Sequence, residues 1–444
     1  MEIATVGGYR EVGKNMTAVK VGNDAVVLDM GFYLPSLIDF EEEGGDRSEI
    51  STNELKNIGA IPDMSVINAW RKNVRCIGLG HCHLDHIGAV PYLSNRFPNA
   101  TIMGTPYTLE VLRTMILEEQ IKMDNKFKII QPNADAKLAK NLKIEFINMT
   151  HSTLQCTMMA VHTKEGVVLY ANDFKFDNHP IVGKKPNLKR LKELGEKGIK
   201  ALVVESIYAG RHRKTPSEKV AREMLKDVML NTENEGNLIV ASTFASHIAR
   251  LKSIIDFGEQ LNRQIVIMGR SMHKYITSAE NLKLINFSQR ADILGYSRHI
   301  KKKLKEIEKQ GRGKYLIICT GGQGEPGSIM QRMATNQMPF EFQKDDHVIF
   351  SNKIIPAEIN KIHRAELEEQ LQKKKTRIFS DIHVSGHAGR EDLRDLIKIT
   401  NPEHLIPAHG DQQMLKSFAQ LAEDMGYHRK KNVHVMDDEK ILKL

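Results

Sequence analysis

His81-Cys82-His83-Leu84-Asp85-His86, entered from the apolar run Cys76-Ile77-Gly78-Leu79, is the stretch on which the fold turns. Four potential metal ligands fall within six residues. In extended backbone side chains alternate with period two, so His81 and His83 share one side and Cys82 faces away. Asp85 and His86 then fall at a following turn or helix start, where they can face a second centre. Imidazole and carboxylate without thiolate is the donor set of hydrolytic zinc or manganese sites. A chance cluster in a polar surface loop is the rival explanation, and the ligand density after an apolar run weighs against it.

Four ligands do not complete two metal spheres, so the others must come from distant chain. His151 follows Ile144-Glu145-Phe146-Ile147, Asp173 follows Val167-Val168-Leu169-Tyr170, and His409 follows Leu405-Ile406-Pro407-Ala408. A lone His or Asp in such a place is more often a cap or turn residue. Their shared position just past an apolar run places all three at one edge of a sheet. A two-metal site lowers the pKa of water towards about 7 and clamps the attacking and leaving oxygens of a hydrolysis. Phosphodiesters, esters, thioesters and amides all remain open to that chemistry.

Working outward, the same rhythm of short apolar run and polar stop repeats. Ala25–Leu28 runs into Asp29, Ala201–Val204 into Glu205, Leu238–Val240 into Ser242-Thr243, and Tyr315–Ile318 into Thr320-Gly321-Gly322. Such runs read as buried strands. Between them, Ser217 to Leu230 carries Val220, Met224, Leu225 and Val228 at helical spacing, and Ile248, Leu251, Ile254 and Ile255 repeat the pattern. The fold class is α/β. Asp39 to Asp46, acidic and glycine-containing, reads as a surface loop.

At 444 residues and about 150 per domain, the chain holds two or three domains. Hydrophobic residues at 41% and charged at 27% place it among ordinary globular proteins. Four cysteines with no C-x-x-C pair exclude a disulfide scaffold and favour a reducing cytoplasm. No signal peptide and no membrane-spanning apolar run is visible. The net charge of +9 suits a polyanion partner, nucleic acid first. Lys184 to Lys200 and Lys301 to Lys314 each hold seven basic and two acidic residues, and Lys361 to Arg377 six against three. Singly these are solvated helix faces; together they are candidate contacts for a phosphate backbone.

The block His-x-His-x-Asp-His with a downstream His, Asp and His resembles the metallo-β-lactamase superfamily. Gly7 to Met16, Thr243-Phe244-Ala245-Ser246, Gly269-Arg270-Ser271-Met272, Thr320 to Ser328, His383-Val384-Ser385-Gly386-His387 and Pro407-Ala408-His409-Gly410 narrow it. In this order and end to end, they are similar to the ribonuclease J family of β-CASP nucleases, archaeal-type. The resemblance implies an αββα metallo-β-lactamase sandwich, residues 1–205 and 382–444, with an inserted α/β β-CASP domain over 206–381. It implies two zinc ions per chain, with manganese as the alternative. One would be held by His81, His83 and His151, the other by Asp85, His86 and His409, with Asp173 bridging and Asp29 orienting the ligand loop. His387 would stabilise the scissile phosphate or supply the leaving-group proton, supported by Glu205; Asp85 joins these two as catalytic.

His383, Ser385, His387, Arg270 and Ser271 would bind substrate phosphate. If residues 383 to 387 are extended, positions 383, 385 and 387 face one way, two imidazoles and a hydroxyl making a phosphate cradle. Thr320 to Ser328 either approaches phosphates with its backbone or is a structural tight turn. The activity implied is 5′→3′ exonuclease action on single-stranded, 5′-monophosphorylated RNA lying between the two domains, in a cytoplasmic homodimer. The alternative is an endoribonuclease like the messenger-RNA cleavage factors, and a small-molecule hydrolase stands further off. With 35 residues after His409, from 409 to 444, the chain looks like the shorter, archaeal kind. Ile355-Pro356-Ala357-Glu358-Ile359-Asn360 departs from the Pro-Gly-Asn-Glu usual in bacterial relatives.

Overall fold

The computed structural model describes residues 1–42, 50–355 and 358–444. Pro356 and Ala357, within the departing segment above, lie outside that range. The chain forms two compact units. One comprises Met1–Asn178, Gly183–Thr215 and Gly386–Leu444; the other comprises His179–Val182 and Pro216–Ser385.

The first unit is built on two sheets. A seven-stranded sheet runs, edge to edge, Lys440–Lys443, Glu2–Gly7, Met16–Val21, Asp24–Leu28, Val74–Leu79, Thr101–Gly104 and Phe127–Ile129. The second runs His404–Ala408, Ala201–Glu205, Gly166–Ala171, Thr157–Thr163, Leu142–Asn148 and Ala134–Ala139. Successive residues of a strand face opposite ways, so each central strand serves two cores. Val203 and Ile406 meet Phe146, Val26 and Leu28 in the core between the sheets. Leu202, Val204 and Leu405 point the other way, onto Leu191, Leu194, Leu393, Leu396 and Phe418 of the covering helices. The helix Pro106–Glu118 packs on the outer strands Thr101–Gly104 and Phe127–Ile129 of the first sheet. The layers are αββα.

The second unit carries one six-stranded, wholly parallel sheet: Asp292–Leu294, Gln264–Met268, Tyr315–Cys319, Ile239–Ser242, His347–Phe350 and Arg377–Phe379. Parallel neighbours require crossovers, and helices Ile248–Gln260, Arg270–Asn281, Ser297–Gln310 and Glu358–Lys373 provide them. No helix among the described residues is long and apolar enough to cross a membrane.

Two local expectations change. The helix expected at Ser217 to Leu230 spans Glu218–Leu230, capped by the Ser217 hydroxyl on the Lys219 N–H. Its buried face, however, is Glu218, Ala221, Leu225 and Met229, and Val220 is 45% exposed. The helix is rotated because the Glu218 carboxylate points inward to a buried partner, described below. Of the expected loop at Asp39 to Asp46, Asp39 to Glu42 close the helix Leu34–Glu42, and the rest lies outside the described residues.

Candidate metal centre

Parallel pairing gathers the strand ends. Ala171 pairs with Val204, and Glu205 with Ala408, so the residues after these strands, Asp173 and His409, leave the second sheet at one edge beside Glu205. In the first sheet Leu28 pairs with Gly78, which brings Asp29 beside the approach to His81. The Thr157 N–H donates to the Gly80 carbonyl at 3.0 Å and ties this edge to the second sheet. The strand Val74–Leu79 stops before His81, so His81 and His83 share a side from a loop and not from within the strand. Asp85 and His86 sit in the short helix Leu84–Ile87.

The ligand atoms form two clusters with one shared member. His81, His83, His151 and Asp173 make one; Asp85, His86, Asp173 and His409 make the other, with all ligand atoms in each within 4.8 Å. His83 Nδ1 lies 3.0 Å from His81 Nε2 and 3.1 Å from His151 Nε2. Asp173 Oδ2 lies 3.4 Å from His81 Nε2, 3.4 Å from His151 Nε2 and 3.2 Å from His86 Nε2. On the other side, Asp173 Oδ1 and Asp85 Oδ2 stand 3.1 and 3.5 Å from His409 Nε2.

These residues fit divalent ions. Tetrahedral nitrogen ligands at about 2.0–2.1 Å from an ion stand about 3.3 Å apart, close to the spacing between these ring nitrogens. Asp173 Oδ1 and His409 Nε2 are buried, and despite their proximity they are not aligned for a hydrogen bond. A buried polar atom left so costs about 1–3 kcal/mol. Burial, then the neighbouring His81 charge, holds His83 well below the usual imidazole range. Burial also outweighs Asp173 and pushes His151 down. Both therefore offer lone pairs. At the other cluster Asp173, Asp85 and Asp29 overcome burial and raise His86 well above its ordinary value. Carboxylates crowd this pocket, and it calls for positive charge. The Cys82 thiol instead pairs with the Thr153 hydroxyl at 3.0 Å, and burial pushes it up to about 12.

A second row of contacts aims the ligands. Asp29 Oδ2 holds His86 Nδ1 at 2.7 Å, while its Oδ1 accepts the Gly80 N–H. His151 Nδ1 donates to the Gly386 carbonyl at 2.7 Å. The Gly13 N–H donates to His409 Nδ1, and Asn15 Nδ2 donates to the Asp85 carbonyl and stands 3.2 Å from His86 Nε2. Gly31 is obligatory here, since a Cβ would fall 1.6 Å from the Asp85 carbonyl oxygen. Asp29, Asp173 and His409 adopt left-handed backbone, φ 58°, 49° and 51°. Non-glycine residues there cost of order 1–3 kcal/mol each, strain that concentrates at functional sites.

Beside the clusters, Glu205 is fully buried and saturated. It accepts the Phe174 and Ala388 N–H groups on Oε1 and holds His387 Nδ1 at 2.9 Å on Oε2. Burial opposes charge on His387, but Glu205 and Asp173 outweigh it and raise the ring to about 10. Its side chain is 23% exposed, so a held, protonated imidazole reaches solvent next to Asp173.

The remaining candidates belong to the second unit. His383 Nδ1 lies 3.3 Å from the Arg250 guanidinium and its ring meets Phe244 edge-on. No strand forms over 381–388, yet Ile382, Val384 and Gly386 are buried while His383, Ser385 and His387 are partly exposed, the alternation of extended chain. Arg270 and Ser271 are exposed at the start of the helix Arg270–Asn281. The loop Thr320 to Ser328 is closely packed: a Cβ on Gly322 would fall 2.3 Å from the Asn352 side chain, and one on Gly324 2.2 Å from the His363 carbonyl oxygen. Packing accounts for Gly322 and Gly324, whereas a Cβ on Gly327 would meet nothing within 4 Å.

Residues 10–215 match the family model of the metallo-β-lactamase superfamily. Residues 235–366 match the β-CASP domain of ribonuclease J, and 373–436 the RNA specificity domain of zinc-dependent metallo-hydrolases. The chain is 42% identical to ribonuclease J of Methanocaldococcus jannaschii, over 98% of this chain and 97% of that protein. It is 42% identical to ribonuclease J of Pyrococcus abyssi, over 98% and 95%. Ribonuclease J of Helicobacter pylori matches at 31% over 99% of this chain but 60% of its own length. A solved Enterococcus faecalis protein of unknown function shares the fold, with a TM-score of 0.65 at 14% identity, over 100% of this chain and 99% of its own.

Proposed function

Since the chain belongs to the ribonuclease J family, archaeal-type, and is a metal-dependent hydrolytic ribonuclease, we propose that it degrades single-stranded RNA 5′→3′ from monophosphorylated ends. His81, His83 and His151 would hold one divalent ion and Asp85, His86 and His409 the other, zinc by preference and manganese as substitute. Bound there, such ions would supply a water activated near neutral pH and positive charge to offset that of the phosphate.

The chain's own residues do the rest. Asp29 and the Gly386 carbonyl set the tautomers of His86 and His151, so that Nε2 of each faces the cluster. Glu205 fixes His387 Nδ1, which leaves Nε2 to give its proton to the departing 3′-oxygen; the products carry 5′-phosphate and 3′-hydroxyl. His383, Ser385, Arg270 and Ser271 bind phosphate of the substrate, and the active form is a cytoplasmic homodimer. The observation that carries the hydrolytic reading is the Asp173 carboxylate, buried between two imidazole clusters with one oxygen unsatisfied. Direction and end preference rest on the end-to-end resemblance to the ribonuclease J family.

The test presents one RNA with a 5′-monophosphate, with a 5′-triphosphate, or as a circle, with zinc or manganese supplied. Early mononucleotides from the monophosphate form, with the circle intact, are expected. Internal cuts in all three move the activity to an endonuclease.

A further inference from the structure

Among the large apolar side chains left exposed in the described residues, one is aromatic: Tyr296, 65% exposed. It opens the helix Ser297–Gln310, directly after the strand Asp292–Leu294. The neighbouring strand Gln264–Met268 runs parallel to that one, with Met268 opposite Leu294, and leads into the helix Arg270–Asn281. The two helix starts are therefore adjacent. His273 of one and His299 of the other place their rings 6.2 Å from the Tyr296 ring, tilted at 56° and 86°. Gly295 keeps this contact tight, because a Cβ there would fall 3.0 Å from the His273 ring.

The helix that follows buries Ile300, Leu304 and Ile307. Arg298, Lys301, Lys302 and Lys305, at i, i+3, i+4 and i+7, form an exposed stripe on it. None of these four has an ion-pair partner among the described residues, whereas Lys303 is spent on Asp292 and Glu306. The basic run from Lys361 to Arg377 is different. Lys361, Arg364, Lys373 and Lys374 are each paired with a glutamate there.

Exposing a tyrosine face forgoes burial, and leaving four cations unpaired beside it adds repulsion; folding explains neither. An aromatic platform set in a row of free cations is what single-stranded nucleic acid requires. Bases stack on the ring and phosphates follow the positive charges. We infer that Tyr296, with His273 and His299 beside it and the stripe Arg298, Lys301, Lys302 and Lys305 behind it, is a binding site for single-stranded RNA, separate from the metal-ligating residues. The inference takes its ligand from the ribonuclease reading. It assigns a role to a basic run that the hydrolytic chemistry does not use.

The test reads stacking and charge separately. Trp70, the single tryptophan, is buried, so Tyr296→Trp adds one exposed reporter. Its fluorescence should be quenched by a hydrolysis-resistant oligouridine and not by heparin, which has charge without bases. In the holoenzyme, Tyr296→Ala should raise KM for long single-stranded RNA by about 5- to 100-fold and leave kcat on a dinucleotide unchanged, while Tyr296→Phe keeps KM within about twofold. Lys301→Ala with Lys302→Ala should flatten the salt dependence of RNA binding by about 1.4 in log–log slope. An unchanged KM in Tyr296→Ala overturns the proposal, as does equal quenching by heparin. A wild-type protein that cuts neither the dinucleotide nor the long RNA fails the ribonuclease reading instead, and the quenching arm still judges Tyr296.

Discussion

Two buried polar clusters, one from each unit, are finished differently. In the second unit the fully buried Arg250 spends its guanidinium on Glu218 (2.6 and 3.0 Å), on the Ser351 carbonyl and hydroxyl, and on the Ile382 and Val384 carbonyls. In the first unit ring nitrogens face one another, and Asp173 Oδ1 and His409 Nε2 satisfy nothing. One cluster is closed on itself, the other open. A closed network locks the fold, and removing a member leaves a buried charge uncompensated. An open one costs the fold and is retained for what it binds.

The hardest blow to this contrast would be an Asp173→Ala protein that still turns over. Losing the shared carboxylate removes several kcal/mol of charge stabilisation, so kcat should fall at least about 10³-fold. RNA binding should be largely spared and the melting temperature of ion-free protein should not drop. A fall in stability as large as the fall in activity would mean that this cluster is closed after all.

Glu218→Ala should do the reverse. It strands Arg250 without its counter-charge at a cost of about 3–5 kcal/mol in urea unfolding, while kcat per folded molecule is unchanged. Pairing Glu218→Leu with Arg250→Met should recover most of the loss, since both charges then leave together. A mild single mutant would show that water reaches the cluster.

Glu205 stands between the two kinds, saturated itself but holding His387 towards solvent. Glu205→Gln should lower kcat about 10²-fold, within the range for a positioned acid, with KM and ion content unchanged. Ion loss in that variant would make Glu205 part of the open cluster.

What could be read in the sequence was residue type and strand-end position. Dense ligands after Leu79, and single ones after Ile147, Tyr170 and Ala408, need no side-chain geometry to be noticed, and apolar runs such as Ala201–Val204 announce buried strands. Contacts made by backbone carry no such mark. Gly13, Asn15, Gly31 and Gly386 act through backbone N–H, backbone carbonyl or missing Cβ, and spacing alone does not distinguish them from loop glycines and asparagines. The Glu218–Arg250 pair was hidden for the opposite reason. Charged residues on amphipathic helices are assigned to the solvent side, so the helix from Glu218 was turned the wrong way. Tyr296 was hidden likewise, because an aromatic beside a strand is expected to be buried.

The smallest effect belongs to a cluster of the closed kind at the protein's edge, where closure should matter least. Glu145 accepts from Arg190 at 2.6 and 3.0 Å and stands 2.8 Å from His162 Nε2. Burial opposes its charge, but His162 and Arg190 prevail and hold the carboxyl down at about 2, against an ordinary value near 4.5. A lowered carboxylate stabilises the fold above its unfolded pKa, and that contribution drains away as pH falls through the folded one. With Arg190 partly in water, screening leaves about 1 kcal/mol. Wild type should therefore exceed Glu145→Gln by about that much from pH 7 down to about 4.5, and the gap should close towards pH 2. A gap as large as that of Glu218→Ala would mean that closure, and not depth, sets the worth of these networks.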